Sequence, residues 1–322
     1  MKRADTLPRS NPTAIGVACG IGAGALWGLV FLAPELVRGF SPLQQTIGRY
    51  LFYGLISAVL IGPRLPVLLP RVGRSGLLAL VWLALAGNTF YYVLLASAVQ
   101  RGGIAMTSLV IGFLPVAVTI IGSRDRDAVP LTRLVPSLLL CAAGALCIGW
   151  QAIAAPVSGS LAAQLTGLFC AIGALVSWTS FAVGNSRWLG RLSQVSPHEW
   201  NLLLGIVTGA QALLLVPVSL ILDTARHSGG EWAQLAGVSA SVAVLASVLG
   251  NALWNRMSRL LPLTLVGQMI LFETLFALLY GFLWEQRLPS VLEAAAFALV
   301  VLSVVSCVAA HRKPDPGLRA LA

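Results

Sequence analysis

Few side chains in this sequence could do chemistry, and most of them sit in apolar surroundings. Glu273 lies inside the apolar run 263–284, and Glu285 closes that run beside Arg287 and Pro289. An ionisable group at bilayer depth costs about 2.5–3.5 kcal/mol on insertion scales, so it faces a bundle interior or a wet cavity. There Glu273 could couple transport to a proton or meet a substrate amine; a structural hydrogen bond to a neighbouring helix is the competing reading. Glu285 and Arg287 read as a solvated helix-end pair. Asn88 and Tyr91 are three residues apart, and so are Asn251 and Trp254, which puts each amide beside a ring on one helix face. That combination suits a zwitterion with an apolar side chain, although the amides could equally bond between helices as packing glue. Trp27 and Trp178 supply two more rings, as cavity lining or as packing. The six candidate substrate-binding residues are therefore Trp27, Asn88, Tyr91, Trp178, Asn251 and Trp254.

No other constellation competes with these. Cys19, Cys141, Cys147, Cys170 and Cys307 fall inside apolar runs with no Cys-x-x-Cys, and His198, His227 and His311 sit at or beyond run ends. Ser-His-Asp sets, phosphate loops and metal-ligand spacings are absent from the sequence, so no catalytic residue, metal or cofactor is expected.

The elements that must position these residues are membrane spans. The chain is 57% hydrophobic and 10% charged, with a mean hydropathy of +0.87. Runs long enough to cross a bilayer fall at 13–33, 42–62, 76–99, 103–122, 131–150, 162–185, 199–222, 233–256, 263–284 and 290–310. This predicts an all-α integral membrane protein with ten transmembrane helices and no room for a soluble catalytic domain. The first run exceeds the roughly 7–15 residues of a signal-peptide core and is read as retained. With the N-terminus inside, sixteen Lys and Arg fall in cytoplasmic segments against four outside. That bias places both termini in the cytoplasm. The net charge of +10 then reports orientation and contact with lipid headgroups, not a nucleic-acid partner. Arg49 lies within the second run, where it could snorkel outward or pair inside the bundle.

The chain then begins again. Gly24-Ala25-Leu26-Trp27 has a counterpart in Gly173-Ala174-Leu175-x-x-Trp178, and Ser41-Pro42 recurs as Ser196-Pro197 after 155 positions. Gly87-Asn88-x-Phe90-Tyr91 recurs as Gly250-Asn251-x-Leu253-Trp254, and Phe113-Leu114-Pro115 aligns with Phe272-Glu273-Thr274. Four matches in one order are a repeat signal. Each repeat holds five helices, an odd number, so the second copy enters the membrane from the opposite side. Two inverted five-helix repeats around a central cavity follow, with the binding site near the midplane. The expected layout is a cytoplasmic segment 1–12, a first repeat 13–150, an external linker 151–161, a second repeat 162–310 and a cytoplasmic tail 311–322.

The paired repeats, the first run's Gly-x-Leu-Trp-type segment and the Glu-Thr-Leu-Phe-Ala ending at Glu273 resemble the EamA type of the drug/metabolite transporter superfamily across essentially the whole chain. Thr274 stands where that family usually has proline. Ala252-Leu253-Trp254-Asn255, and Tyr91 placed 24 residues before Pro115, resemble bacterial aromatic amino acid exporters, whose aromatic-rich stretch before that proline this chain lacks. The resemblance implies an inner (plasma) membrane transporter that exports amino acids or similar small metabolites by alternating access. Its expected partners are a small-molecule substrate and membrane lipids, with monomer and homodimer both compatible. The alternative reading is a membrane-embedded lipid-acting enzyme or a flippase-like protein, and the former would need a polar cluster at one interface that the sequence lacks.

Overall fold

The computed structural model describes residues 12–124, 129–154, 161–284, 286 and 288–311. The described residues form helices α1 (Pro12–Gly28), α2 (Ala33–Leu36), α3 (Pro42–Ile61), α4 (Leu65–Ala84), α5 (Phe90–Ile111), α6 (Leu114–Gly122), α7 (Leu131–Ala154), α8 (Leu161–Arg191), α9 (Pro197–Leu222), α10 (Gly229–Val242), α11 (Asn251–Leu260), α12 (Leu263–Met269), α13 (Leu271–Trp284) and α14 (Val291–His311), with no strand among them. By length and composition, six helical stretches among the described residues could cross a membrane: Pro12–Phe31, Pro42–Arg101, Leu165–Arg191, Pro197–Leu222, Gly229–Leu260 and Ala294–His311. Leu131–Cys147 and Leu263–Ala277 are shorter apolar helices. The Glu285–Arg287 pair, the N-terminal segment up to residue 11, most of the 151–161 linker and all of the tail after His311 lie outside the described residues.

Local chemistry starts the helices where the sequence places them. Ser41 accepts a hydrogen bond from the Gln44 amide at 3.1 Å, and the Ser41 amide donates to Gln44 Oε1 at 2.9 Å. Ser196 and Glu199 repeat this reciprocal cap at 3.1 and 2.8 Å. Both caps are followed by proline at the first helical position, where its missing N–H is harmless. Pro115 likewise opens α6, where the chain restarts a helix after a break at Gly112–Phe113. The second half breaks at the aligned place, Ile270 between α12 and α13, without a proline.

Helix backbones meet at glycines. A Cβ on Gly54 of α3 would lie 2.6 Å from the Gly209 Cα of α9, and one on Gly209 would lie 2.6 Å from the Gly54 Cα. On α1, Gly24 and Gly28 let the Phe272–Glu273 and Phe276–Ala277 backbone of α13 approach as closely. Two π-helical segments, Leu85–Thr89 and Ala243–Gly250, interrupt the α-helical runs at the two Gly-Asn motifs. Each gives a backbone carbonyl to a helix of the other half: Ala246 O accepts from Trp27 Nε1 at 3.1 Å, and Ala86 O accepts from Ser177 Oγ at 2.7 Å. Each also seats a ring on its glycine, Phe181 on Gly87 and Trp27 on Gly250.

Several boundaries differ from expectation. α8 continues past 185 to Arg191, because Asn185 and Leu189 are buried and Arg259 caps its end through the carbonyls of Leu189, Leu192 and Val195. α4 begins ahead of the expected start at 76 and bends at Gly73, whose φ of 66° is the left-handed conformation that glycine alone adopts freely. Helical hydrogen bonding in α5 runs through Arg101, where the sequence reading puts a link between two helices.

Candidate functional site

A cavity of about 690 Å³ lies between α1, α3, α5, α8, α11 and α13. Five of the six candidate residues line it: Trp27, Asn88, Tyr91, Trp178 and Asn251, and Glu273 joins them on the wall. The π-segments explain part of this convergence. An extra residue per turn rotates the Gly-Asn motif relative to the helix above it, and such segments recur at functional sites.

Trp254 is placed differently. It is 2% exposed and does not line the cavity. Its ring packs behind the wall, 5.0 Å from Trp27 and 5.3 Å from Trp178 between centroids. Its indole N–H has no hydrogen-bond partner among the described residues. Trp178 is the hub of the aromatic wall, 6.0 Å from Trp27, 6.4 Å from Tyr91 and 5.9 Å from Phe181. Edge-on and tilted contacts at these distances are the geometry in which aromatic pairs attract.

Each amide both faces the cavity and holds a neighbouring helix. Asn88 Nδ2 donates to Thr208 Oγ1 of α9 at 3.0 Å, so this residue ties helices together as well as facing the cavity. Asn251, one residue after the second π-segment, lines the cavity and is a side-chain hydrogen-bond partner of Tyr53 on α3. Glu273 sits in the first turn of α13, with its backbone pressed against Gly24 of α1.

Four side chains on this wall escaped the reading of the sequence as site residues. Arg49 does not snorkel outward. It is 9% exposed, its Nε donates to Ser247 Oγ at 3.1 Å, and its guanidinium lies 5.1 Å from the Tyr50 ring and 5.0 Å from the Tyr92 ring. Tyr50, Tyr92 and Phe181 are cavity residues as well. The signal for Phe181 was present: it stands three residues after Trp178 on the same helix face. The contacts make it, with Gly87, the partner to Trp27 with Gly250.

A bundle of membrane-length helices around one cavity walled by rings, amides and single charges is the architecture of a small-molecule membrane transporter. The model of the EamA-like transporter family matches residues 14–150. Over 94% of its length the chain is 33% identical to the Inner membrane protein YtfF of Escherichia coli (strain K12), covering 97% of that protein. The chain belongs to the EamA-like transporter family. A solved crystal structure, 19% identical, superposes with a TM-score of 0.69 over 92% of this chain and 97% of that one, a likeness of fold.

Proposed function

We propose that this protein is a ten-span secondary transporter of the inner membrane that exports amino acids or similar small metabolites by alternating access of two inverted repeats. The observation that carries this reading is the convergence of Trp27, Asn88, Tyr91, Trp178, Asn251 and Glu273, from helices far apart in sequence, on one cavity. At about 690 Å³ the cavity falls in the range for small-molecule sites. Rings would take an apolar side chain, while amides and charges take the polar ends.

Ten spans are supported by chain reversals inside the long helical stretches. Within the 60-residue stretch Pro42–Arg101, Tyr53 and Asn88 are 35 residues apart, roughly 50 Å if straight, yet they bond to Asn201 and Thr208 of α9, only seven residues apart. Tyr91 and Ile111 would lie about 30 Å apart in a straight helix, yet both line this cavity. The family match ending at residue 150, the paired caps, the paired π-segments and the reciprocal Gly54–Gly209 contact support two repeats. The cavity also reaches Arg38 and Gln100, at helix ends that the charge bias assigns to the outside, which favours an outward-open conformer.

Two measurements test this. Purified protein in proteoliposomes should move labelled amino acids, assayed with and without a pH gradient; transport of none of a broad panel would end the amino-acid reading. Topology reporters at Ala322 and in the 151–161 segment should report opposite sides, and equal readings would sink the ten-span arrangement.

A further inference from the structure

Besides Arg38, the cavity wall carries one charge from each half of the chain, and no ion pair joins these two among the described residues. Arg49 comes from α3 and Glu273 from α13. The Arg49 guanidinium is held by the neighbouring Tyr50 and Tyr92 rings, whose centroids are 6.0 Å apart, and by the Nε bond to Ser247. Nε supplies one of five N–H donors. The Tyr92 side chain is a further hydrogen-bond partner of the guanidinium, and these two partners leave donors over on a side chain that is nine-tenths buried and lines the cavity. A buried guanidinium with idle donors is costly, and a bound anion offsets that cost. A rigid planar fork is the geometry that binds a carboxylate through two parallel hydrogen bonds.

We propose that Arg49 is the oxyanion-binding residue of this cavity, holding the carboxylate of a solute whose cationic end lies toward Glu273. The oxyanion part stands on the geometry of Arg49; only the cationic part rests on the amino-acid reading. The position 155 residues on from Arg49 is Leu204, fully buried, so this fork has no counterpart at the matching place of α9. The aromatic wall then receives the remainder of the solute. In this arrangement Tyr50 and Tyr92 position the guanidinium and need not touch the solute.

Equilibrium binding to the purified full-length protein separates these parts. The probes are L-phenylalanine, L-leucine and L-threonine, their carboxamides, their des-amino carboxylates, and inorganic phosphate. The expected result is that at least one acid binds tenfold or more tighter than its amide, and that Arg49→Gln lowers acid binding to the amide's level while leaving the amide unchanged. If Arg49→Gln does not fold, Arg49→Lys keeps the charge without the fork and should shrink the acid-to-amide ratio at least threefold. A ratio kept within twofold in the folded variant, equal binding of acids and amides by the wild type, or no binding of any oxyanion probe overturns the proposal. Des-amino acids or phosphate bound without any amino acid, and lost in Arg49→Gln, would uphold Arg49 and end the amino-acid reading. Amino acids bound with an unchanged ratio in Arg49→Gln would do the reverse.

Discussion

Helices α3 and α9 begin with the same cap, carry proline at the same position and cross at a pair of glycines that are 155 residues apart, the offset of the caps themselves. Between these shared points they diverge. Where α3 has Gln45, Arg49 and Tyr50, α9 has Trp200, Leu204 and Gly205 at the same offset. The α3 residues line the cavity; Trp200 and Leu204 are fully buried and do not. Positions that set geometry are alike because a crossing of two backbones leaves little choice of residue. Trp27 and Trp178, and Asn88 and Asn251, keep the same residue on the wall at the matched motifs, whereas on α3 and α9 the cavity-facing positions differ. Glu273 and its counterpart Leu114 make the same point from the other half, with the charge in the second copy and the apolar residue in the first.

The sharpest way to break this comparison is at the crossing. A leucine at Gly54 would force four carbons into a place where the first alone would sit 2.6 Å from the Gly209 Cα. Overpacking costs about 1–3 kcal/mol where side chains can shift, and here the obstacle is backbone. Gly54→Leu and Gly209→Leu should each abolish monodisperse, folded protein in size-exclusion chromatography. If either variant folds with a wild-type Tm, the helices do not cross there.

A smaller effect separates the wall from what stands behind it. Trp254→Ala removes a ring that is buried on all sides, and truncating such a residue costs about 3–5 kcal/mol. Trp178→Ala removes a ring that faces the cavity yet also holds Trp27, Tyr91, Phe181 and Trp254. Its loss should lower Tm less than Trp254→Ala and weaken the apparent affinity of a transported substrate by about threefold to thirtyfold, from roughly 0.5–2 kcal/mol of ring contact. Equal affinity per folded molecule in wild type and Trp178→Ala would make Trp178 packing alone.

Much of the scaffold was legible in the sequence because membrane helices announce themselves by apolar length and their starts by Ser-Pro caps. The convergence of Trp27, Asn88, Tyr91, Trp178 and Asn251 was legible because the chain spells the same motifs twice. Arg49 was not read as a site residue, since its depth along a helix does not reveal which neighbours face it; Ser247 is 198 residues away. The burial of Trp254 was equally hidden. A π-segment changes which face a residue occupies, and nothing in Ala243–Gly250 signals one by composition. The break at Ile270 had no proline to mark it.

Glu273 offers the next step down. It shares the cavity with Arg49, and a neutral amide of the same shape tests whether its proton matters. If the carboxyl couples transport to protons, Glu273→Gln should remove the several-fold stimulation by a pH gradient while leaving exchange of substrate across the vesicle wall intact. Unchanged dependence on the gradient would return Glu273 to a structural role.

The smallest effect tests the caps, where the two halves differ by one charge. Ser41→Ala and Ser196→Ala each remove the hydroxyl that accepts from the third residue's amide, at 3.1 Å in both helices. Each should cost about 1 kcal/mol, and nearly the same in both. The third residue breaks the tie. Glu199 is ionic, lies near the positive end of the α9 dipole and pairs with Arg64 at 2.9 Å, whereas Gln44 is neutral. Arg64 is largely exposed, so solvent screens the pair and its contribution is small. Glu199→Gln should therefore lower stability by about 0.3–1 kcal/mol, and Gln44→Glu should raise it by no more than that through the α3 dipole. Both shifts should shrink in high salt, while the Ser→Ala shifts should not. Thermal unfolding of the four variants at low and high salt reads this directly. A Ser196→Ala loss several times that of Ser41→Ala would mean that the two helix starts, alike in geometry, are not alike in what they hold.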